Sequence, residues 1–406
     1  MAHGFVDGEV ITYDSEAYAD PHPLFRHIRG RGRVVRVRGP RSEAGWWITG
    51  YDDVRAAFSD GRLSRDSAYL SPAFPGLSAE LGVAGSGPLT AHMLNADPPD
   101  QARLRKPVSA AFGSRRVAGL AGQIAGIAER LLAAFPSGAD IDLVDAFAQP
   151  LPVEVICELL GVQVEDRQQM RSWSNTIMSA RPSDVRRIPQ VAGELSGYLS
   201  RIFADRAREP REDLISTLVR AAGPDSQLSR DELYSTVILL IVAGHETTVN
   251  LISNTVYTLL THPGQRAEVM AEPALWPVLI EEVLRFDPPA VVAMWRFARE
   301  DIMLDGARIR AGDPVLLACG STGRDPRRFD RPDHLDLHRE DVAHLAFGHG
   351  AHYCIGSHLA RLEAKIAVSA LFRRFPEITL ACPPEEVPWR KIGWAGRGPV
   401  SLPVQV

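Results

Sequence analysis

Lysine is nearly absent from this chain. It occurs only at Lys106, Lys365 and Lys391, so almost every basic side chain is an arginine. Basic residues number 45 against 50 acidic ones, a formal net charge of −5. With no surplus of positive charge, nucleic-acid binding has no bulk electrostatic basis. Cysteine is sparse too. Cys157, Cys319, Cys354 and Cys382 show no paired spacing, which excludes a disulfide scaffold and fits a reducing cytosol. Long apolar runs are missing. The longest, Val237 to Gly244, falls far short of the ~20 residues that span a bilayer. The first residues, Met1 to Gly8, have neither the basic start nor the apolar centre of a secretory signal. The expectation is a cytoplasmic protein without a membrane segment.

One stretch concentrates chemistry: Phe347-Gly348-His349-Gly350-Ala351-His352-Tyr353-Cys354-Ile355-Gly356. It sets a cysteine at the end of a glycine-studded loop, ahead of a helix expected from Ser357 to Phe375. Apolar Leu359, Leu362, Ile366, Ala370 and Leu371 recur there about a turn apart. A sulfur at a helix N-terminus meets the positive end of the dipole and free N–H groups, which favours thiolate. Gly350 and Gly356 lack a Cβ, so backbone or a flat ligand can come close. Such a sulfur suits a nucleophile, a zinc ligand or the axial ligand of haem iron; a buried inert cysteine is the bland alternative. Zinc would draw on His344, His349, His352, Cys354 and His358. Structural zinc sites pair their ligands with a second half elsewhere, and the sequence has no second cluster.

A second stretch lies inside a long helix. Ser229-Arg230-Asp231-Glu232 is a capping box, and Pro263 stops the helix after His262. Val237 to Val242 is apolar, so the helix should be central and buried. Into it falls Ala243-Gly244-His245-Glu246-Thr247-Thr248. A glycine, a carboxylate and two hydroxyls weaken a buried helix, the Gly alone by roughly 1 kcal/mol. The insertion is either a solvated stripe or a polar break that faces a reaction centre.

The pattern Phe-x-x-Gly-x-His-x-Cys-x-Gly, carried by Phe347, Gly350, His352, Cys354 and Gly356, resembles the cysteine loop of the cytochrome P-450 family. Ala243 to Thr247 resembles that family's oxygen-activation motif, Ala-Gly-x-Asp/Glu-Thr. The resemblance implies one domain over 1–406, mainly α with a small β part. Haem b, iron protoporphyrin IX, would lie between the long helix and the Cys-loop helix. Cys354 would be the axial iron ligand, its thiolate pushing electron density toward O–O cleavage. Phe347 would shield the sulfur, and Gly348, Gly350 and Gly356 would bring loop N–H groups near it. Thr247 and Glu246 are the implied catalytic residues: Thr247 a hydrogen-bond donor to dioxygen, Glu246 a relay of protons from solvent. Gly244 would let the helix open and leave room for dioxygen, and His245 would point outward or join a salt bridge. Asp97-Pro98-Pro99-Asp100-Gln101-Ala102-Arg103-Leu104-Arg105 resembles the family's Asp-Pro-Pro-x-His-x-x-x-Arg, so Arg105, with Arg296 and His352, would hold the propionates. Gln101 replaces the usual His; its amide can donate a hydrogen bond but carries no charge. Glu282, Arg285 and Arg339 would form a buried structural network.

Elsewhere, helical spacing marks 100–112, 116–135, 150–160, 166–180, 187–208 and 211–222. Strands are expected at Val34 to Arg38, Gly45 to Thr49, Ile302 to Leu304, Arg308 to Ile309 and Val315 to Ala318. The Pro- and Gly-rich 67–91 stretch reads as a loop, and the resemblance puts a lid at the break Arg181 to Asp184. By the same topology Leu240, Ala243, Val291, Val292 and Met294 would line a pocket for a bulky hydrophobic substrate, such as a polyketide or macrolide in bacterial secondary metabolism. The implied reaction is hydroxylation or epoxidation. Electrons would come from NAD(P)H through a ferredoxin or flavodoxin with its reductase. The donor would dock near Arg103, Lys106, Arg115 and Arg116, on a monomer. Peroxide-driven, coupling or rearrangement chemistry, or haem binding without turnover, are the alternatives.

Overall fold

In the computed structural model the described residues are all but 1–4, 7–8, 41–42, 81–89, 137, 179–185, 223–227 and 392–395. The helices that matter here include α1 (His22–Arg31), α2 (Tyr51–Phe58), α3 (Asp100–Ser109), α4 (Ala121–Ala133), α5 (Pro150–Leu160) and α6 (Arg167–Met178). They continue with α7 (Ile188–Arg208), α8 (Leu214–Arg220), α9 (Arg230–Thr261), α10 (Trp276–Phe286) and α11 (Ser357–Arg374). The strands are β1 (Phe5–Val6), β2 (Ile11–Tyr13), β3 (Val34–Arg38), β4 (Gly45–Ile48), β5 (Leu63–Ser64) and β6 (Asp140–Asp142). After them come β7 (Arg296–Ala298), β8 (Ile302–Leu304), β9 (Ala307–Ile309), β10 (Pro314–Leu317), β11 (Thr379–Leu380) and β12 (Pro403–Gln405). One sheet runs in the order β1-β2-β3-β4-β10-β7-β5, with β2–β3 and β4–β10 parallel. Helices dominate, as expected from the sequence.

Local chemistry explains where elements begin and end. The capping box forms: Glu232 N–H donates to Ser229 Oγ at 3.2 Å, and Ser229 N–H to Glu232 Oε2 at 2.7 Å. The helix expected over 116–135 is two. Gly119 ends the first part, its N–H reaching the carbonyls of Arg115 and Arg116 and tightening the last turn. The segment expected over 211–222 starts later because Asp213 caps it, accepting from Ser216 N–H at 2.7 Å. The 67–91 loop is not wholly irregular. Pro75–Glu80 is a helix, and Glu43 accepts the N–H groups of Gly76 and Leu77 at its start. Residues 81–89 of that stretch and the Arg181 to Asp184 break lie outside the described residues.

The core sits around α9, which packs against α5, α10 and α11, while α11 also packs on α4. By length and composition α9 could cross a membrane, yet 72% of its most apolar window is buried among other elements, as in the core helix of a globular fold.

A buried ion pair pins the segment that leads into the Cys loop. Arg285 Nε and Nη2 donate to the two oxygens of Glu282, both at 2.7 Å, with neither side chain exposed. Arg285 also reaches the carbonyls of Pro332 and His334, and Arg339 Nε lies 3.4 Å from Glu282 Oε1. Glu282 further accepts Asp336 N–H at 2.9 Å. Breaking one side of such a pair leaves an uncompensated buried charge. Arg285→Met is therefore expected to lower stability by about 3–5 kcal/mol. Urea unfolding measures the loss, and wild-type stability would show that this pair does not pin the segment.

Candidate active site

The Cys loop folds on its own glycines. Gly348 and Gly350 have φ of 72° and 69°, the left-handed region that costs glycine little. A Cβ on Gly348 would lie 3.3 Å from the Phe58 ring, and one on Gly350 would lie 3.2 Å from Ser59 Oγ, so the loop rests on the end of α2. Cys354 N–H donates to Phe347 O at 2.9 Å. The Cys354 side chain is accessible from the space it faces, yet enough protein surrounds it that burial raises its thiol pKa. The Gly356 N–H and the charges of Arg105 and Arg361 oppose that rise without overcoming it. The helix end does favour thiolate through the Gly356 N–H, but desolvation outweighs it. A bound cation would reverse the balance, since a coordinating thiol is deprotonated outright.

Behind the loop, Arg361 Nε and Nη2 donate to Glu281 at 2.6 and 2.9 Å, and His344 Nε2 donates to it at 3.1 Å. Burial alone would raise the Glu281 carboxyl, but these bonds hold it down to about 2. Arg361 lies over the Phe347 ring at 4.4 Å. His344 is thereby engaged away from the sulfur. Among the described residues no group of three His, Cys, Asp or Glu side chains has the arrangement to hold a metal ion, so the zinc reading falls.

The pairing of β5 with β7 brings Arg65 and Arg296 to one edge beside His352. Arg296 is buried; its Nη1 donates to Leu63 O at 3.2 Å, and its Nε has no partner. His352 Nε2 is buried without a partner too. Burial, then the charges of Arg296 and Arg65, lower its pKa to about 4. Arg65 is buried and lowered to about 9 by burial and by Arg296. The nearby acid, Asp97, is engaged by Ser64, the Arg65 N–H and Arg299. Repelling cations and orphaned donors call for an anion. The two propionates of a haem answer that demand, and Cys354 offers a sulfur to its iron, so the residues present fit the group.

Arg105 Nη1 lies 3.4 Å from Ala351 O, at the loop. Gln101 is buried, and its Nε2 donates to the same carbonyl at 2.7 Å. One of its amide hydrogens is thus engaged by the loop.

On α9, Thr247 Oγ1 donates to Ala243 O at 3.2 Å. Glu246 is buried, and Arg390 Nη2 lies 2.7 Å from its Oε1. Burial raises the Glu246 carboxyl while Arg390 opposes the rise. Three expectations change here. The helix runs unbroken through Gly244. A Cβ on Gly244 would lie 3.3 Å from Ile156, so that glycine serves close packing with α5. His245 is buried, its Nδ1 donating to Ile241 O at 2.7 Å, neither outward nor ion-paired.

Of the pocket candidates, Leu240, Val291 and Val292 are buried in hydrophobic clusters. Val291 packs so close that a Cβ on Gly320 would meet it at 3.0 Å, which makes it core. Ala243 and Met294 are exposed. A cavity of about 370 Å³ lies elsewhere, at the C-terminal end of α9 between Tyr257, His262, Asp287 and Arg397, and none of the site residues lines it. Sequence reasoning missed Arg65, Arg361 and Arg390. Arg361, seven residues after Cys354 on α11, was the one with a local signal.

The family model described as Cytochrome P450 matches residues 176–396. The chain is 42% identical over 374 residues to cytochrome P450 monooxygenase PikC of Streptomyces venezuelae, covering 91% of this chain and 88% of that protein. It is 38% identical over 373 residues to mycinamicin IV hydroxylase/epoxidase of Micromonospora griseorubida, covering 91% and 92%. Among solved structures, the cytochrome P450 PksS of the Bacillus subtilis 168 bacillaene polyketide synthase matches with a TM-score of 0.88 at 37% identity, covering 96% of this chain and 97% of that one.

Removing one orphaned donor tests the fit. Arg296→Gln is expected to speed haem loss to a haem-scavenging protein by roughly ten- to a hundredfold, the equivalent of one charge-assisted hydrogen bond of about 1.5–3 kcal/mol. An unchanged loss rate would mean that Arg296 does not hold the cofactor.

Proposed function

Since the chain belongs to the cytochrome P450 family and is a monooxygenase of it, we propose that it hydroxylates or epoxidises a bulky hydrophobic small molecule, a polyketide or macrolide. The family implies a haem-thiolate centre. The observation that carries the catalytic reading is the pairing of accessible Cys354 with the anion-seeking donors of Arg296 and His352. The substrate class draws on the printed names of relatives, a hydroxylase/epoxidase of mycinamicin IV and an enzyme of a polyketide synthase.

In this reading Cys354 binds the iron, while Arg105, Arg296 and His352 bind the propionates. Haem b, when bound, supplies the chemistry that reduces dioxygen and delivers one oxygen atom to a C–H bond or an alkene. Thr247 holds a proton at Oγ1, which it donates to Ala243 O at 3.2 Å within its own helix. Glu246 carries protons inward from the Arg390 side. Electrons come from NAD(P)H through a ferredoxin or flavodoxin with its reductase. Lys106, Arg115 and Arg116 are the exposed cations for such a donor. Arg103 is engaged instead by Glu232 and Asp100, at 2.8 and 3.1 Å. The protein acts as a cytoplasmic monomer with one domain.

A screen of polyketides, macrolides, fatty acids and small polar compounds by Soret shift, followed by product analysis, tests the substrate class. Macrolides or linear polyketides should shift the band and gain one oxygen atom; turnover confined to small polar compounds would contradict the proposal. Thr247→Ala is expected to keep haem but to divert most reducing equivalents into hydrogen peroxide. Wild-type coupling in that variant would remove Thr247 from proton handling.

A further inference from the structure

Arg390 stands on the C-terminal segment, far in sequence from Glu246, yet it makes the ion pair that α9 lacks within itself. The segment is held on both sides of that contact. Arg390 N–H donates to Gly398 O at 3.1 Å, and Trp389 bridges Pro399. Arg397 Nε reaches Asp287 at 2.5 Å, and its guanidinium lies over Trp389 at 4.3 Å. Glycine permits the approach to α9. A Cβ on Gly398 would lie 2.2 Å from Asn250 Oδ1, and one on Gly396 would lie 3.3 Å from Asn250 Nδ2 and 3.6 Å from Glu246 Oε1. Asn250 is one turn beyond Glu246 on the same face of α9. Two buried donors in this contact, Arg390 Nε and Asn250 Nδ2, have no protein acceptor. Unpaired buried donors of this kind are ordinarily met by ordered water.

We propose that Arg390 is a positioning residue for Glu246: the C-terminal segment, through this arginine, fixes the direction and charge of the carboxyl, and the orphaned donors beside it mark where solvent reaches the pair. The inference rests on the proton-relay role given to Glu246 above. Among the described residues Arg390 is the charged group whose field acts on Glu246. His245, its neighbour on α9, is buried with its Nδ1 engaged by Ile241 O. The sign follows. Burial favours the neutral carboxyl and the guanidinium favours the ionised one. Without Arg390 the carboxyl keeps its proton to a higher pH.

The test uses the haem-loaded protein and two readouts. Infrared titration of the Glu246 carboxyl band, identified by its loss in Glu246→Gln, reads the charge without turnover. The pH profile of coupling, oxygenated product per reducing equivalent, reads the consequence. Arg390→Gln should move both midpoints to higher pH, and Arg390→Lys should restore them in large part. An unmoved infrared midpoint in Arg390→Gln overturns the inference while leaving the relay role of Glu246 intact. Wild-type coupling in Glu246→Gln overturns the relay role, and the positioning role with it.

Discussion

Positive charge held out of water, beside an acid already engaged by other donors, sets the terms for this molecule. Arg65 and Arg296 come to one edge through the antiparallel pairing of β5 with β7, and the Cys loop adds His352. Arg296 lowers the proton affinity of Arg65, both arginines lower that of His352, and two buried nitrogens stay without partners. A fold does not keep such a cluster for its own stability, because burying an unpaired charge costs several kcal/mol. An anionic ligand removes that cost, so binding it and stabilising the fold are linked. The glycine turns of the Cys loop, the Gln101 bond to Ala351 O and the Glu282–Arg285 pair all fix the position of one loop relative to this cluster.

The central helix divides its labour along its length. Its apolar first half fills the core, and the glycine in the polar insertion lets it lie close against Ile156 of α5. The insertion then presents a hydroxyl and a carboxyl whose partners differ in kind. Thr247 is bonded within its own helix, four residues back. Glu246 is tied to a distant segment through Arg390. A change in the C-terminal segment therefore reaches the carboxyl directly and the hydroxyl only through the helix.

Features written in consecutive residues were legible. The Cys loop, the Ser229 capping box and the i, i+3 pair of Glu282 and Arg285 depend on caps, turns and helix spacing that a short window contains. The mainly helical class followed from the same periodicity. What escaped depends on partners that only the fold brings together. Gln101 was read toward a propionate, and its bond to Ala351 O, 250 residues away, had no local signal. His245 was expected outward or in a salt bridge, yet the carbonyl four residues back satisfies it. Val291 read as pocket lining, whereas Gly320 and the sheet pack against it. Arg65 and Arg390 lie outside the short motifs quoted from the sequence, and an arginine in a chain this poor in lysine carries no signal of its own.

The bond between Cys354 and iron is the step on which the catalytic account stands, and X-ray absorption at the iron edge of the haem-loaded protein reads it without turnover. One sulfur neighbour of the iron in the native protein, gone in Cys354→Ser, is the predicted result. An iron shell of nitrogen and oxygen alone, or a sulfur neighbour that survives the substitution, would contradict it.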